Sequence, residues 1–193
     1  MAYTDQSTIE KYLSIDIDSS YSSQLTSWIA AVKTWIDRYT GKTFEASSSD
    51  RYYDGCGESS ITIDSFVGSP TVVILNSDGT IDETLTEGAS DDFLSYPLNS
   101  TEKNRIVLTS RKFPRGNRRI KVTASFGFST SVPNDIALIA TKLVAKVLEK
   151  GIDGGKLASS QIGDQQVNFE SIDEAAEALG IYQTLDMYRD ISI

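Results

Sequence analysis

The side chains best placed to do chemistry lie in one basic stretch, Arg111-Lys112-Phe113-Pro114-Arg115-Gly116-Asn117-Arg118-Arg119. Guanidinium and ammonium groups at this density bind phosphates or carboxylates. Phe113 among them offers a face on which a nucleobase can stack. Extended to Lys103–Lys121, the stretch holds eight basic residues and no acidic one. The whole chain has 18 basic and 27 acidic residues and a net charge of −9, which leaves −17 for the remainder. Three readings of the stretch stand open. It is a nucleic-acid loop, a solvated hairpin tip, or a contact in which Arg111, Lys112, Arg115, Arg118 and Arg119 meet an acidic patch on another subunit. Affinity for nucleic acid needs many cations facing phosphates, and little else in the chain is basic. Acidic partners are plentiful: Asp82, Glu83, Glu87, Asp91 and Asp92 precede the stretch, and Asp173, Glu174 and Glu177 follow it. Such a dipolar chain suits head-to-tail self-association, which closes into a ring when the rotation per subunit permits.

The other candidate motifs fail on their chemistry. Gly151-Ile-Asp-Gly-Gly-Lys156 has the look of a phosphate loop. Its spacing is one residue short, Leu157 stands where Ser or Thr is required, and it follows a helix rather than a strand. It reads as a flexible linker. Asp16-Ile-Asp18-Ser-Ser20 begins like a calcium loop, but Tyr21 occupies the position of the turn glycine and Ser27 that of the bidentate glutamate. Asn99-Ser100-Thr101 is formally a glycosylation sequon and reads as a polar loop. Asp91-Asp92, Asp82-Glu83 and Asp173-Glu174 are adjacent carboxylates, whereas glycosidases raise theirs on opposing walls of a cleft.

Composition narrows the classes further. Histidine is absent, which removes the commonest general base and metal ligand and every Ser–His or Cys–His pairing. Cys56 is the single cysteine, so no internal disulfide or paired-thiolate zinc site can form. No catalytic residue, metal ligand or cofactor is expected. With 193 residues, 39% hydrophobic and 23% charged, the chain has ordinary globular composition. No apolar run approaches the ~20 residues of a membrane span. Met1–Glu10 is polar without a basic start, so synthesis in a cytoplasm without a secretory signal is the expectation.

The elements that must carry these residues follow from periodicity. Thr4 can cap a short helix whose face is Ile9, Tyr12 and Leu13. A second helix, about Ser20 to Tyr39, places Leu25, Trp28, Ile29, Val32, Ile36 and Tyr39 on one stripe broadened by Trp35, and Gly41 ends it. From Thr43 the pattern alternates. Strands are expected at Arg51–Asp54, Ser60–Ile63, Thr71–Leu75, Thr80–Leu85, Phe93–Tyr96, Arg105–Leu108 and Ile120–Phe126, with a hairpin turn at Asn76-Ser77-Asp78-Gly79. Pro133-Asn134-Asp135 opens a third helix with a wide apolar face of Ile136, Ile139, Ala140, Leu143, Val144, Val147 and Leu148. Gly151–Ser160 reads as mobile and Gln165–Phe169 as a short strand. Ser171 with Glu174 fits a capping box for a last helix reaching Tyr188, with Ala175, Ala178, Leu179, Tyr182, Leu185 and Tyr188 as its apolar set. The expectation is an α+β fold. Residues 1–42 and 129–193 form a small helical bundle, and 43–128 form a β-rich insertion between its second and third helices.

Several phrases of the sequence, in their order, resemble head–tail connector (adaptor) proteins of siphophages. They are Trp35-Ile36-Asp37-Arg38-Tyr39-Thr40-Gly41-Lys42-Thr43-Phe44 at a helix end and Arg51-Tyr52-Tyr53-Asp54-Gly55 after it. Arg111–Gly116 leading into Ile120–Ser129, Val132-Pro133-Asn134-Asp135-Ile136, and Gln161-Ile162-Gly163-Asp164-Gln165-Gln166-Val167 continue the succession. One departure is Gln165 or Gln166, where an aromatic often stands. The resemblance implies a structural virion neck protein and not an enzyme. It implies a ring, a dodecamer in the virion, docked below the portal and bridging it to the stopper or tail-completion protein. DNA passes through such a ring without sequence-specific binding, and no membrane is involved. It also implies that the C-terminal segment engages the portal. The apolar residues there, Tyr182, Leu185, Tyr188, Ile191 and Ile193, exceed what a final helix needs to seat itself, so they are the candidate docking surface beside the alternative that they close the bundle. Two other classes remain: a stopper or tail-completion protein, with less helix, and an acid-pair hydrolase, which requires a cleft holding two carboxylates.

Overall fold

The computed structural model describes residues 2–149, 152–153, 156–157 and 169–189. The fold is α+β, and the chain divides into two compact units. Residues 1–42 and 132–193 make a helical unit, and Thr43–Ser131 makes a β unit. The division falls after Ser131 because Ser129 belongs to the β unit: its carbonyl accepts the Ala46 N–H at 2.8 Å.

In the helical unit, α1 (Gln6–Leu13) is capped by Asp5, whose carboxylate accepts the Thr8 N–H at 2.9 Å. Thr4, the expected cap, is buried and shares a 2.8 Å hydroxyl hydrogen bond with Thr141. A carboxylate accepts more strongly at a helix start than a hydroxyl, which frees Thr4 for the core. Ile9 is fully buried, whereas Tyr12 is half exposed. A turn at Ser19–Tyr21, held by Asp18 on the Ser20 N–H at 2.8 Å, leads into α2 (Ser22–Thr40). The stripe of α2 buries Leu25, Trp28, Ile29, Val32, Trp35 and Ile36, and Gly41 at φ 72° closes it in a left-handed cap.

Helix α3 (Asn134–Glu149) packs against α1, α2 and α4 (Phe169–Leu179), so it is the centre of the unit. All seven residues of its anticipated apolar face are buried. The last expected helix differs. Phe169 lies in α4 rather than in a strand, and the rest of the proposed strand, 165–168, falls outside the described residues. Ser171 sits inside α4, and Gly180 at φ 63° separates that helix from α5 (Tyr182–Asp186). The buried face of α4 is Ile172, Ala175 and Ala176, while Ala178 is exposed.

The β unit is one antiparallel sheet of six strands. They are β1 (Ser47–Gly55), β2 (Ser60–Leu75), β3 (Ile81–Leu85), β4 (Phe93–Tyr96), β5 (Glu102–Leu108) and β6 (Gly116–Phe126), in the order β1-β6-β2-β5-β4 with β3 also on β2. The two strands expected at Ser60–Ile63 and Thr71–Leu75 are halves of β2, a single strand of 16 residues. It bends at Gly68-Ser69-Pro70, where Gly68 adopts φ 78° and the ladder to β6 skips from Val67 to Thr71. The first half pairs with β5 and the second with β3, while β6 runs alongside. The sheet therefore curls around one core of Ile61, Phe66, Val72, Phe93, Ile106, Phe113, Ile120, Val122 and their neighbours. In the stretch read as a linker, Ile152–Asp153 (β7) and Lys156–Leu157 (β8) form a two-residue antiparallel ladder.

Candidate functional site

Most of the basic stretch is committed within its own chain. The Arg111 guanidinium grips Glu83 with two bonds of 2.6 and 2.9 Å and reaches Asp92 at 3.2 Å. These are two of the acids counted as partners for another subunit. Arg111 is held above its ordinary pKa chiefly by the bond to Glu83; desolvation opposes this, and the charges of Glu83 and Asp92 add to it. Lys112 lies 4.0 Å from Glu58. Arg119 donates from Nε to the Leu75 carbonyl at 2.6 Å, and Lys121 pairs with Asp50 at 2.7 Å. Phe113 is only 1% exposed and sits in the β core. It is no stacking platform, which removes the one aromatic from the nucleic-acid reading. Nor is the whole stretch a loop, since Gly116–Arg119 opens β6.

What remains outward is a tip at the end of the β1–β6 ladder. There Gly55-Cys56-Gly57 lies against Pro114–Gly116 so closely that a Cβ on Gly55 would sit 1.7 Å from the Pro114 carbonyl oxygen. Arg115 and Arg118 are exposed, and among the described residues neither has an ion pair. Arg118 takes φ 50°, held by its N–H on Asp54 Oδ1 at 2.7 Å, and its guanidinium lies 4.6 Å above the Tyr52 ring.

The C-terminal set divides. Ile191 and Ile193 lie outside the described residues. Leu185 is fully buried in the helical unit, so its side chain serves that core and offers no docking surface. Tyr188 donates to Asp135 at 2.6 Å; burial, then this bond, push its hydroxyl up to about 12. Tyr182 is half-buried and belongs to a cluster that the sequence does not announce. Its ring lies 5.2 Å from Tyr39, which stacks on Trp35 at 5.6 Å. Trp35 Nε1 donates to Asp173 at 2.7 Å, and the Tyr39 hydroxyl donates to Asp186 at 2.7 Å. Tyr39 and Tyr182 each fit a core stripe of a separate helix, and nothing in a linear reading brings those helices together.

Two cavities of the helical unit are lined by described residues, and neither holds an acid pair. One of about 600 Å³ is lined by Tyr3, Thr8, Tyr12, Val132 and Leu138, a second of about 370 Å³ by Leu25, Ile29 and Lys33, and Asp5 is the one carboxylate on both. That carboxyl is held below its usual range, chiefly by the Thr8 N–H and the Ser7 hydroxyl. Among the described residues no cluster of carboxylates and cysteine has metal-binding geometry, and no helix is long and apolar enough to cross a membrane.

These features define an architecture: a helical unit interrupted by a contiguous β unit, bearing a cationic tip on one and an aromatic–carboxylate cluster on the other. No protein-family model matches the chain, and no curated protein matches it. Solved structures do share its fold. A chain from the neck of the empty GTA particle, computed with C6 symmetry, aligns over 89% of this chain and 80% of its own at TM-score 0.55 and 15% identity. A chain from the neck of the native particle, computed with C12 symmetry, aligns over 97% and 88% at TM-score 0.54 and 15% identity. A third, from the virion of the native gene transfer agent, covers 89% and 79% at TM-score 0.53 and 15% identity. At such identity the likeness is one of fold.

Proposed function

We propose that this chain is a structural subunit of a virion neck: a head–tail connector (adaptor) that forms a ring below the portal. The ring bridges the portal to the stopper or tail-completion protein and lets DNA pass. One observation carries the reading. The fold likeness to chains of particle necks spans 97% of this chain in the C12 case, so it covers helical and β units together. Ring symmetry in those necks, C6 and C12, supports assembly of many copies. The net charge of −9 supports a conduit role, since an acidic lumen repels phosphate and keeps DNA sliding. In this reading Arg115 and Arg118 make the inter-subunit contact of the basic segment, with Arg111, Lys112 and Arg119 bracing the tip from within. Ile191 and Ile193 dock on the portal, anchored through Tyr182, Leu185 and Tyr188.

Native mass spectrometry of the protein mixed with the portal ring of the same particle tests this. About one added copy per portal subunit is the expected result. A chain that ignores the portal but adds to a preformed adaptor–portal complex would take the stopper position instead. A chain that stays monomeric with both would overturn the neck reading. Deleting Arg189–Ile193 tests the docking segment: the truncated protein folds, and its loading on the portal is lost.

A further inference from the structure

The β-unit tip carries two exposed cations on a backbone held close to its neighbours. Arg115 runs over Gly57, where a Cβ would sit 2.5 Å from its Nε, and Arg118 is locked in the left-handed region by Asp54. A non-glycine residue held at positive φ by a specific bond has the direction of its Cα–Cβ bond set by the backbone, and the Arg118 guanidinium lies 4.6 Å over the Tyr52 ring. The helical unit carries the complementary surface. The half-buried rings of Tyr39 and Tyr182 lie 5.2 Å apart, with Asp186 on the Tyr39 hydroxyl and Asp173 on Trp35. Glu177 stands one turn along α4 from Asp173. Burial, then Asp173, then Glu177 raise the Tyr182 hydroxyl, so the charges of both acids are felt at that ring. The Arg189 guanidinium lies over the Tyr39 ring, 5.5 Å from its centroid. Among the described residues Asp173, Glu177 and Asp186 thus stand beside the Tyr39 and Tyr182 rings, with Tyr39 stacked on Trp35 and exposed Met187 beside Asp186.

We infer that the Arg115–Arg118 tip of one copy docks on the Tyr39–Tyr182–Asp186 patch of a second copy. This rests on the ring reading above and names its contact. Guanidinium groups stack on tyrosine faces while pairing with carboxylates beside them, and the patch offers both in one place. Tip and patch share no residue, one belonging to the β unit and the other to the helical unit, so the contact is head-to-tail. Each copy gives one tip and receives one, the arrangement that builds a ring.

Cys56, the chain's single cysteine, is exposed and lies in the tip between Gly55 and Gly57. Wild-type protein is mixed with an equimolar Cys56→Ser/Met187→Cys variant under mild oxidation, both on the portal ring and alone at high concentration. A mixed disulfide dimer, distinguished by mass and exceeding either same-variant dimer, is expected. Its absence under both conditions overturns the inference. Charge reversal gives the second arm. Arg115→Glu/Arg118→Glu and Glu177→Arg/Asp186→Arg proteins, each shown folded by circular dichroism, lose oligomers when alone. Their mixture regains them, because each tip then faces an opposite patch. Variants that assemble alone as wild type does also overturn it. Mixed dimers without portal loading would leave the contact standing and fell the connector reading, and portal loading without mixed dimers would do the reverse.

Discussion

Arg111 and Arg115 stand four residues apart in opposite electrostatic settings. Arg111 closes a fork on Glu83 and touches Asp92, while Arg115 meets no carboxylate among the described residues. The Arg111 side chain is 39% exposed, so its pairs are screened. Arg111→Ala should lower stability by at most about 1 kcal/mol in urea denaturation, with the loss shrinking as salt is added. Phe113 between them behaves differently. It is fully enclosed in the β core, and Phe113→Ala should cost about 3–5 kcal/mol. A variant at Phe113 that stayed stable but lost affinity for DNA would contradict its assignment to the core. The tyrosines give a pH signature. Burial first, then bonds to Asp64 and Asp135 respectively, raise Tyr53 and Tyr188 from 10.0 to about 12. A phenol is neutral when protonated, so a raised folded value means stability that is complete below pH 10 and lost as pH climbs through 12. Thermal midpoints should fall across that window. Tyr188→Phe should flatten the fall and remove one late-titrating group from the phenolate absorbance.

At the scale of elements, the glycines decide where strands and helices bend. Gly55 lets β1 approach Pro114, and a Cβ there would overlap the carbonyl oxygen. Gly55→Ala should displace residues 113–118, seen as shifted amide resonances along the tip, and cost about 1–3 kcal/mol. Much of the architecture was legible from periodicity, because α2 buries one stripe, α3 a wide apolar face, and β6 alternate residues from Ile120 to Phe126. Two elements were not. Gly68-Ser69-Pro70 has the composition of a turn, yet β2 continues through it because β6 pairs on both sides of the bend. A partner strand supplies the hydrogen bonds that a local reading assumes are lost. Gly180 lies inside an apolar helical pattern, yet its left-handed conformation ends α4. The site was less legible than the fold. Charge counting found the basic stretch but not that Glu83 and Asp92 neutralise part of it, since that pairing joins residues 28 and 19 positions apart.

For the whole molecule, the connection between units follows from where the β unit begins and ends. Ser47 pairs with Phe126, the Phe128 N–H donates to the Thr43 carbonyl at 2.9 Å, and Ala46 donates to Ser129 at 2.8 Å. The chain therefore enters and leaves the β unit side by side, as an inserted domain must if its host is to keep folding around it. Each unit also has a core of its own: Phe66, Phe93, Ile106 and Ile120 in one, and Ile9, Ile36, Ile136 and Leu143 in the other. Excised Thr43–Ser131 should consequently fold alone, with a single cooperative thermal transition and a β-type circular dichroism spectrum. Its folding should be slow, in the millisecond-to-second range, because β1 and β6 pair across most of the fragment's length. The reciprocal protein, with Thr43–Ser131 replaced by a short glycine–serine link, should retain a helical spectrum and cooperative melting, since the two ends it joins are already neighbours. It should also fail to form the mixed disulfide through the tip, which it no longer carries. A fragment that stays unfolded would mean that the sheet depends on the helical unit for its core.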